Sequence, residues 1–206
     1  AFNKRIAEEL QAKLRNPAAE VKTLHAIGFM FVRRNWTNVR PDDTRGERIA
    51  RAVMGDQAPD PMIRLVTQLV SKAKGMCPFP KPGQLAEIAI AHGLEPDEEW
   101  EDEGWTLEKM ERTAERCMER ACVKDGTIDF DDMVFLPIRN KWVRPRYDLV
   151  VIDEAQDMNP VQIMLAQGVC KPKGRTFVVG DDRQAIYGFR GADSNSLDRL
   201  KKELNA

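Results

Sequence analysis

The chain has 206 residues, 42% hydrophobic and 32% charged, and its 32 Lys and Arg nearly balance 33 Asp and Glu for a net charge of −1. That length allows one or two domains with a sizeable core, while the balanced charge excludes a general electrostatic hold on nucleic acid, so any such contact must come from local groups. No apolar run is long enough to span a bilayer and no signal-peptide pattern occurs. Cys77, Cys117, Cys122 and Cys170 lack the paired spacing of a zinc site with His25 and His92, so reduced thiols in an intracellular chain are expected.

Taken in order, AFNKRIAEELQAKL carries Ile6, Leu10 and Leu14 at helical spacing, with Asn3 available as a cap and Pro17 beyond the end. Val21 to Leu24 reads as a strand leading into His25, Ala26, Ile27 and Gly28. From about Trp36 to Asp125 the pattern is helical, broken by proline-marked turns. Thr44 and Glu47 have the spacing of a capping box ahead of Ile49 and Val53. Asp60 and Pro61 open a helix bearing Met62, Leu65, Val66, Leu69 and Ala73. Pro78 to Gly83 is a loop, Gln84 to His92 a short helix stopped by Gly93, and the acidic run Glu95 to Glu103 a solvated loop. Leu107, Met110, Ala114, Cys117, Met118 and Ala121 form one apolar stripe of a long helix, which as a Met and Cys stripe reads as core. In TIDFDDM, Asp129, Asp131 and Asp132 read as helix caps rather than a metal site. Arg139, Lys141, Arg144 and Arg146, with Trp142 among them, read as a solvated basic loop, with phosphate contact as the second option.

Two stretches concentrate chemistry. In YDLVVIDEAQD, Leu149 to Ile152 is a short apolar, β-branched run, expected to be a parallel strand covered on both faces. Asp153 and Glu154 follow at its carboxyl end, where open α/β sheets bind ligands. Neighbouring residues there point different ways, so one acid can hold a hydrated Mg²⁺ while the other orients or deprotonates water. The plainer reading is a strand followed by an acidic helix cap, with Asn159 as N-cap and Pro160 as first helical residue. In the second stretch Thr176 to Val179 is another apolar strand, running into GDDRQAIYGFRGAD. There Gln184 offers an amide to a phosphate, and Tyr187 and Phe189 offer flat faces near Arg183 and Arg190, the pairing of rings and guanidiniums that single-stranded nucleic acid requires.

DEAQD followed by VGDDRQAIYGFRGAD resembles motifs II and III of the UvrD/Rep family of superfamily 1 DNA helicases, in wording and in order. AFNK then resembles motif Ia and TLHAIG motif Ib. The resemblance implies an α/β fold: part of a RecA-like P-loop NTPase parallel sheet with an inserted all-helical subdomain. Residues 1–35 and 127–206 would form the motor part and 36–126 the insertion. It implies ATP and Mg²⁺ as cofactors, with Asp153 holding the metal, Glu154 activating the attacking water and Gln184 contacting the γ-phosphate. Phe2, Asn3, Lys4, Thr23, His25, Tyr187, Phe189 and Arg190 would meet DNA, and Gln156 and Asp157 would tie the two motifs together. Where Phe189 stands the family often has a tryptophan, so stacking would persist on a smaller ring.

The resemblance further implies single-stranded DNA and duplex junctions as partners, no membrane, and a cytoplasmic location, or a nuclear one in a eukaryote. No GxxxxGK[ST] occurs among the 206 residues, so nothing in the chain matches the loop that cradles the β- and γ-phosphates. The expectation is therefore a fragment of an ATP-dependent helicase, lacking the remainder of its chain and inactive alone. Two other classes remain: a non-hydrolysing single-strand-binding module using Phe2, His25, Tyr187 and Phe189, and a Mg²⁺-dependent nuclease using Asp153, Glu154 and Asp157.

Overall fold

The computed structural model describes residues 4–180, with side chains from Arg5 onward. Phe2, Asn3, Gln184, Tyr187, Phe189 and Arg190 therefore lie outside the described residues, and Lys4 enters only as the first residue of a helix. In chain order the elements are α1 (Lys4–Lys13), α2 (Leu24–Asn35), β1 (Arg40–Pro41), α3 (Arg45–Met54), α4 (Asp60–Met76), α5 (Gln84–Ala91) and α6 (Glu98–Asp102). They continue with α7 (Leu107–Ala121), β2 (Thr127–Ile128), α8 (Asp132–Arg139), β3 (Tyr147–Ile152), a 3-10 turn (Ala155–Asp157), α9 (Pro160–Val169) and β4 (Cys170–Val178). The chain divides into two compact units, residues 1–35 with 133–206, and residues 36–132. Residues 127–132, placed by the sequence reading with the α/β part, lie in the second unit, because Thr127 and Ile128 pair in parallel with Arg40 and Pro41.

In the first unit β3 and β4 are parallel neighbours, with Leu149 opposite Arg175 and Ile152 opposite Val178, and α9 is the crossover between them. Asn159 caps α9 through a reciprocal pair: its side chain accepts from the Gln162 N–H at 2.9 Å and its N–H donates to the Gln162 side chain at 3.0 Å. With Pro160 at the first helical position, this end follows from local sequence alone. The core joins Phe31 of α2, Val134 and Ile138 of α8, and Val161, Leu165 and Val169 of α9, with Val150 of β3 packed against them. Gly28 lets α2 approach closely, since a Cβ there would lie 2.0 Å from the Met133 carbonyl oxygen.

The first unit also departs from expectation. Strand β3 is not covered on both faces: Val150 and Ile152 turn inward while Leu149 and Val151 are 49% and 60% exposed, joined on β4 by Phe177 at 57%. The β-branched run was legible, but only the structure shows that one face lacks a covering layer among the described residues. Val21 to Leu24 forms no strand; the Thr23 hydroxyl accepts from the Ala26 N–H at 3.1 Å, and a helix starts at Leu24. The stripe of Ile6 and Leu10 on α1, with Leu14 just beyond its end, is partly open to solvent, and Ala7 is the buried position.

The second unit is mainly helical, though the β1–β2 pair makes it not wholly so. Ile49 of α3, Ile63, Val66 and Leu69 of α4, Leu85 of α5, and Met110, Cys117 and Met118 of α7 are buried, so the Met and Cys stripe is core. Thr44 and Glu47 do not form a capping box: the Thr44 hydroxyl donates to Asp42 at 2.7 Å, and Glu47 pairs with Arg51. The acidic run is not all loop, because Asp97 accepts from the Trp100 N–H at 3.1 Å and starts α6.

Beneath these helices lies a buried charge cluster. Arg45, fully buried, donates to Asp132 at 2.6 Å and to the Ala121 carbonyl at 3.1 Å. Lys74, 2% exposed, pairs with Asp129 at 2.6 Å and Asp132 at 2.9 Å. Burial works against the charge on Lys74, but Asp132 and Asp129 more than offset it and hold the ammonium above its ordinary range. Asp129 also accepts from the Asp132 N–H at 2.8 Å, so the expected cap at the start of α8 is present and doubles as an ion-pair partner. Among the described residues no group of three His, Cys, Asp or Glu side chains has the geometry to hold a metal, and no helix is long and apolar enough to cross a membrane.

Candidate functional site

At the carboxyl ends of β3 and β4 the two chemically dense stretches meet. The Val179 N–H donates to the Ile152 carbonyl at 2.8 Å, and the Ala155 N–H returns to the Val179 carbonyl at 3.1 Å. DEAQD and the Gly180 that opens GDDR thus leave the same end of the sheet. Asp153 and Glu154 are both exposed there. Because Asn159 caps α9, neither acid serves that purpose, and the plain capping reading accounts for Asn159 and Pro160 without accounting for Asp153 and Glu154.

Glu154 has φ 54° and ψ 47°, the left-handed region that costs a side-chain-bearing residue roughly 1 kcal/mol or more. That conformation turns the chain sharply out of β3 into the 3-10 turn, which buries Ala155 and Gln156 and leaves the Glu154 carboxylate outside. The Gln156 amide, 2% exposed, donates from Nε2 to Glu154 Oε2 at 2.6 Å. Burial and the neighbouring charge of Glu154 raise the Asp157 carboxyl above its ordinary range, and its Oδ1 is buried without a hydrogen-bond partner. The sequence assigns Gln156 to linking the two motifs; within its own motif it also holds Glu154.

The other expected site residues fall elsewhere in the first unit. Thr23 is engaged as the cap of α2, and His25, in the first turn, has its pKa lowered by burial to about 4. A neutral imidazole can meet a phosphate as a hydrogen-bond donor but not as a cation. In the basic run, Arg146 pairs with Glu20 at 3.1 Å and Arg144 donates to the carbonyls of Lys141 and Val143, so part of that charge is spent within the fold. Glu20 also accepts from the Tyr147 hydroxyl at 2.8 Å; that bond and the one from Lys22 bring its carboxyl down to about 2.

A parallel strand, crossover helix and strand, with adjacent carboxylates exposed at the carboxyl end, define the ligand-facing edge of an open α/β fold. The chain belongs to the family of the UvrD/REP helicase N-terminal domain, whose model matches residues 1–205. It is similar to the ATP-dependent DNA helicase Rep of Escherichia coli strain K12, 37% identical over 95 residues that make up 42% of this chain and 14% of that protein. It is also similar to DNA helicase II of the same organism, 28% identical over 110 residues, 49% of this chain and 15% of that protein. The matched stretch is thus a small part of either relative.

Proposed function

We propose that this chain is part of an ATP-dependent DNA helicase that couples ATP hydrolysis to movement on single-stranded DNA and at duplex junctions. The observation that carries the reading is the pair Asp153 and Glu154, exposed at the end of β3 between Ile152 and Ala155, which are both tied by backbone hydrogen bonds to Val179, the residue before Gly180. In this reading the first unit belongs to a RecA-like motor domain of the P-loop NTPase type, and the second unit, residues 36–132, is its insertion. An exposed carboxylate suits Mg²⁺, which is commonly held by one or two protein carboxylates together with substrate phosphates. The metal supplies neutralisation of phosphate charge. Asp153 holds it, Glu154 orients and deprotonates the attacking water, and Gln184 contacts the γ-phosphate. Phe2, Asn3, Lys4, Thr23, His25 and Arg190 meet the DNA strand, while Tyr187 and Phe189 stack on bases. The protein acts inside the cell, where its DNA is.

The phosphate-cradling loop is absent from these 206 residues, so the isolated chain is incompetent for turnover. The test is ATP hydrolysis by this chain with Mg²⁺, with and without single-stranded DNA, beside Glu154→Gln. The expected result is no hydrolysis, together with weak single-strand binding that Tyr187→Ala and Phe189→Ala reduce further. Hydrolysis abolished by Glu154→Gln would overturn the incompetence of the isolated chain. DNA binding indifferent to both aromatic substitutions would overturn the assignment of the DNA track.

A further inference from the structure

We infer that Gln156 is the positioning residue for Glu154, an inference that rests on the proposed role of Glu154 in ATP hydrolysis. In that step a water oxygen bonds to the γ-phosphorus, and the bond from phosphorus to the β,γ-bridging oxygen breaks with its electron pair leaving on ADP. The water proton passes to the Glu154 carboxylate. A base in this role must be held within a fraction of an ångström of its working geometry. Glu154 is poorly placed to hold itself. Its side chain is exposed, and it projects from a left-handed residue at the exit of β3.

Gln156 supplies the missing constraint. It is 2% exposed and sits in the 3-10 turn between Ala155, fully buried, and Asp157. Its amide nitrogen reaches Glu154 Oε2 at 2.6 Å, a charge-assisted bond from a buried donor to an exposed acceptor. Only the nitrogen end of the amide can serve, since a carboxylate accepts and does not donate, so the orientation of the group is fixed by chemistry. One carboxylate oxygen is thereby committed to the protein and the other is left for water. The same bond fixes the rotation of the carboxylate plane. The left-handed turn contributes too, by folding residue 156 back toward the side chain two positions before it.

The test is DNA-stimulated ATP turnover by the full-length protein that carries this chain, in the parent, Gln156→Leu, Glu154→Gln and the double variant. Leucine keeps the size and burial of the side chain and removes the donor. Gln156→Leu is expected to lower kcat about ten- to a hundredfold while KM for ATP stays within about twofold. In the Glu154→Gln background the same change is expected to cost nothing further, because the group it positions is already gone. Gln156→Asn keeps the amide but draws its nitrogen back by one methylene; it is expected to show the same kcat loss with KM for ATP again within about twofold. An unchanged kcat in Gln156→Asn, or equal losses from Gln156→Leu in both backgrounds, would overturn the inference and leave the role of Glu154 standing. Turnover unaffected by Glu154→Gln would instead overturn the reading of the site itself.

Discussion

At the scale of the residue, Glu154 separates function from stability. Its positive φ suits glycine better than any side chain, so Glu154→Gly should keep the folded state within about 1 kcal/mol of the parent in urea unfolding. Glu154→Val, branched at Cβ, should be the less stable of the two; equal midpoints would show that the backbone there is unstrained. His25 makes a second residue-scale prediction. Its unfolded imidazole takes a proton near the ordinary 6.5, whereas the folded one waits until about 4. Between those values the unfolded state binds more protons, so stability falls as pH drops from 6.5 toward 4. Glu20 acts in a lower window: its stabilisation is complete above the ordinary 4.5 and is lost as pH falls through about 2. Urea midpoints taken through both windows should flatten in the upper one for His25→Gln and in the lower one for Glu20→Gln. Curves that stay parallel to the parent would assign the pH dependence to other groups.

Elements show the cost of close approach and of buried charge. Gly28 brings α2 against the Met133 carbonyl with no room for a methyl group, so Gly28→Ala should destabilise by roughly 1–3 kcal/mol despite the better helix propensity of alanine. A gain in melting temperature would mean that α2 shifts freely. In the second unit Lys74→Met strands Asp129 and Asp132 without their cation, and a loss of about 3–5 kcal/mol is expected. Adding Asp132→Asn to that variant should recover part of the loss, since the buried negative charge goes with it. A double variant no better than the single would show that Arg45 alone satisfies Asp132. The same cluster clamps residues 129–132 to α3 and α4, so its effect belongs to packing within the second unit rather than to any one residue.

Among the described residues the notable surface is the outer face of β3 and β4, where Leu149, Val151 and Phe177, with Val179 just beyond β4, are each about half exposed or more. With a net charge of −1 there is little long-range repulsion to keep such faces apart. Val151→Thr combined with Phe177→Thr should lower concentration-dependent light scattering and hydrophobic-dye binding; scattering unchanged by the pair would show that this face does not drive association. The sequence by itself determined what is written in local chemistry. Asn159 with Pro160 starts α9, Asp60 with Pro61 starts α4, and the stripe of α7 is core, because capping bonds and helical spacing act within a few residues. DEAQD was legible as a strand-end acid cluster for the same reason. What only the tertiary structure decided was how residues far apart in the chain meet, and which faces they cover. Arg45 reaches Asp132 across 87 residues, Lys74 reaches Asp129 across 55, and one side of β3 is left open among the described residues. Local propensity biases a few dihedral angles, whereas burial and charge pairing depend on the whole chain's packing, and at those positions packing prevails.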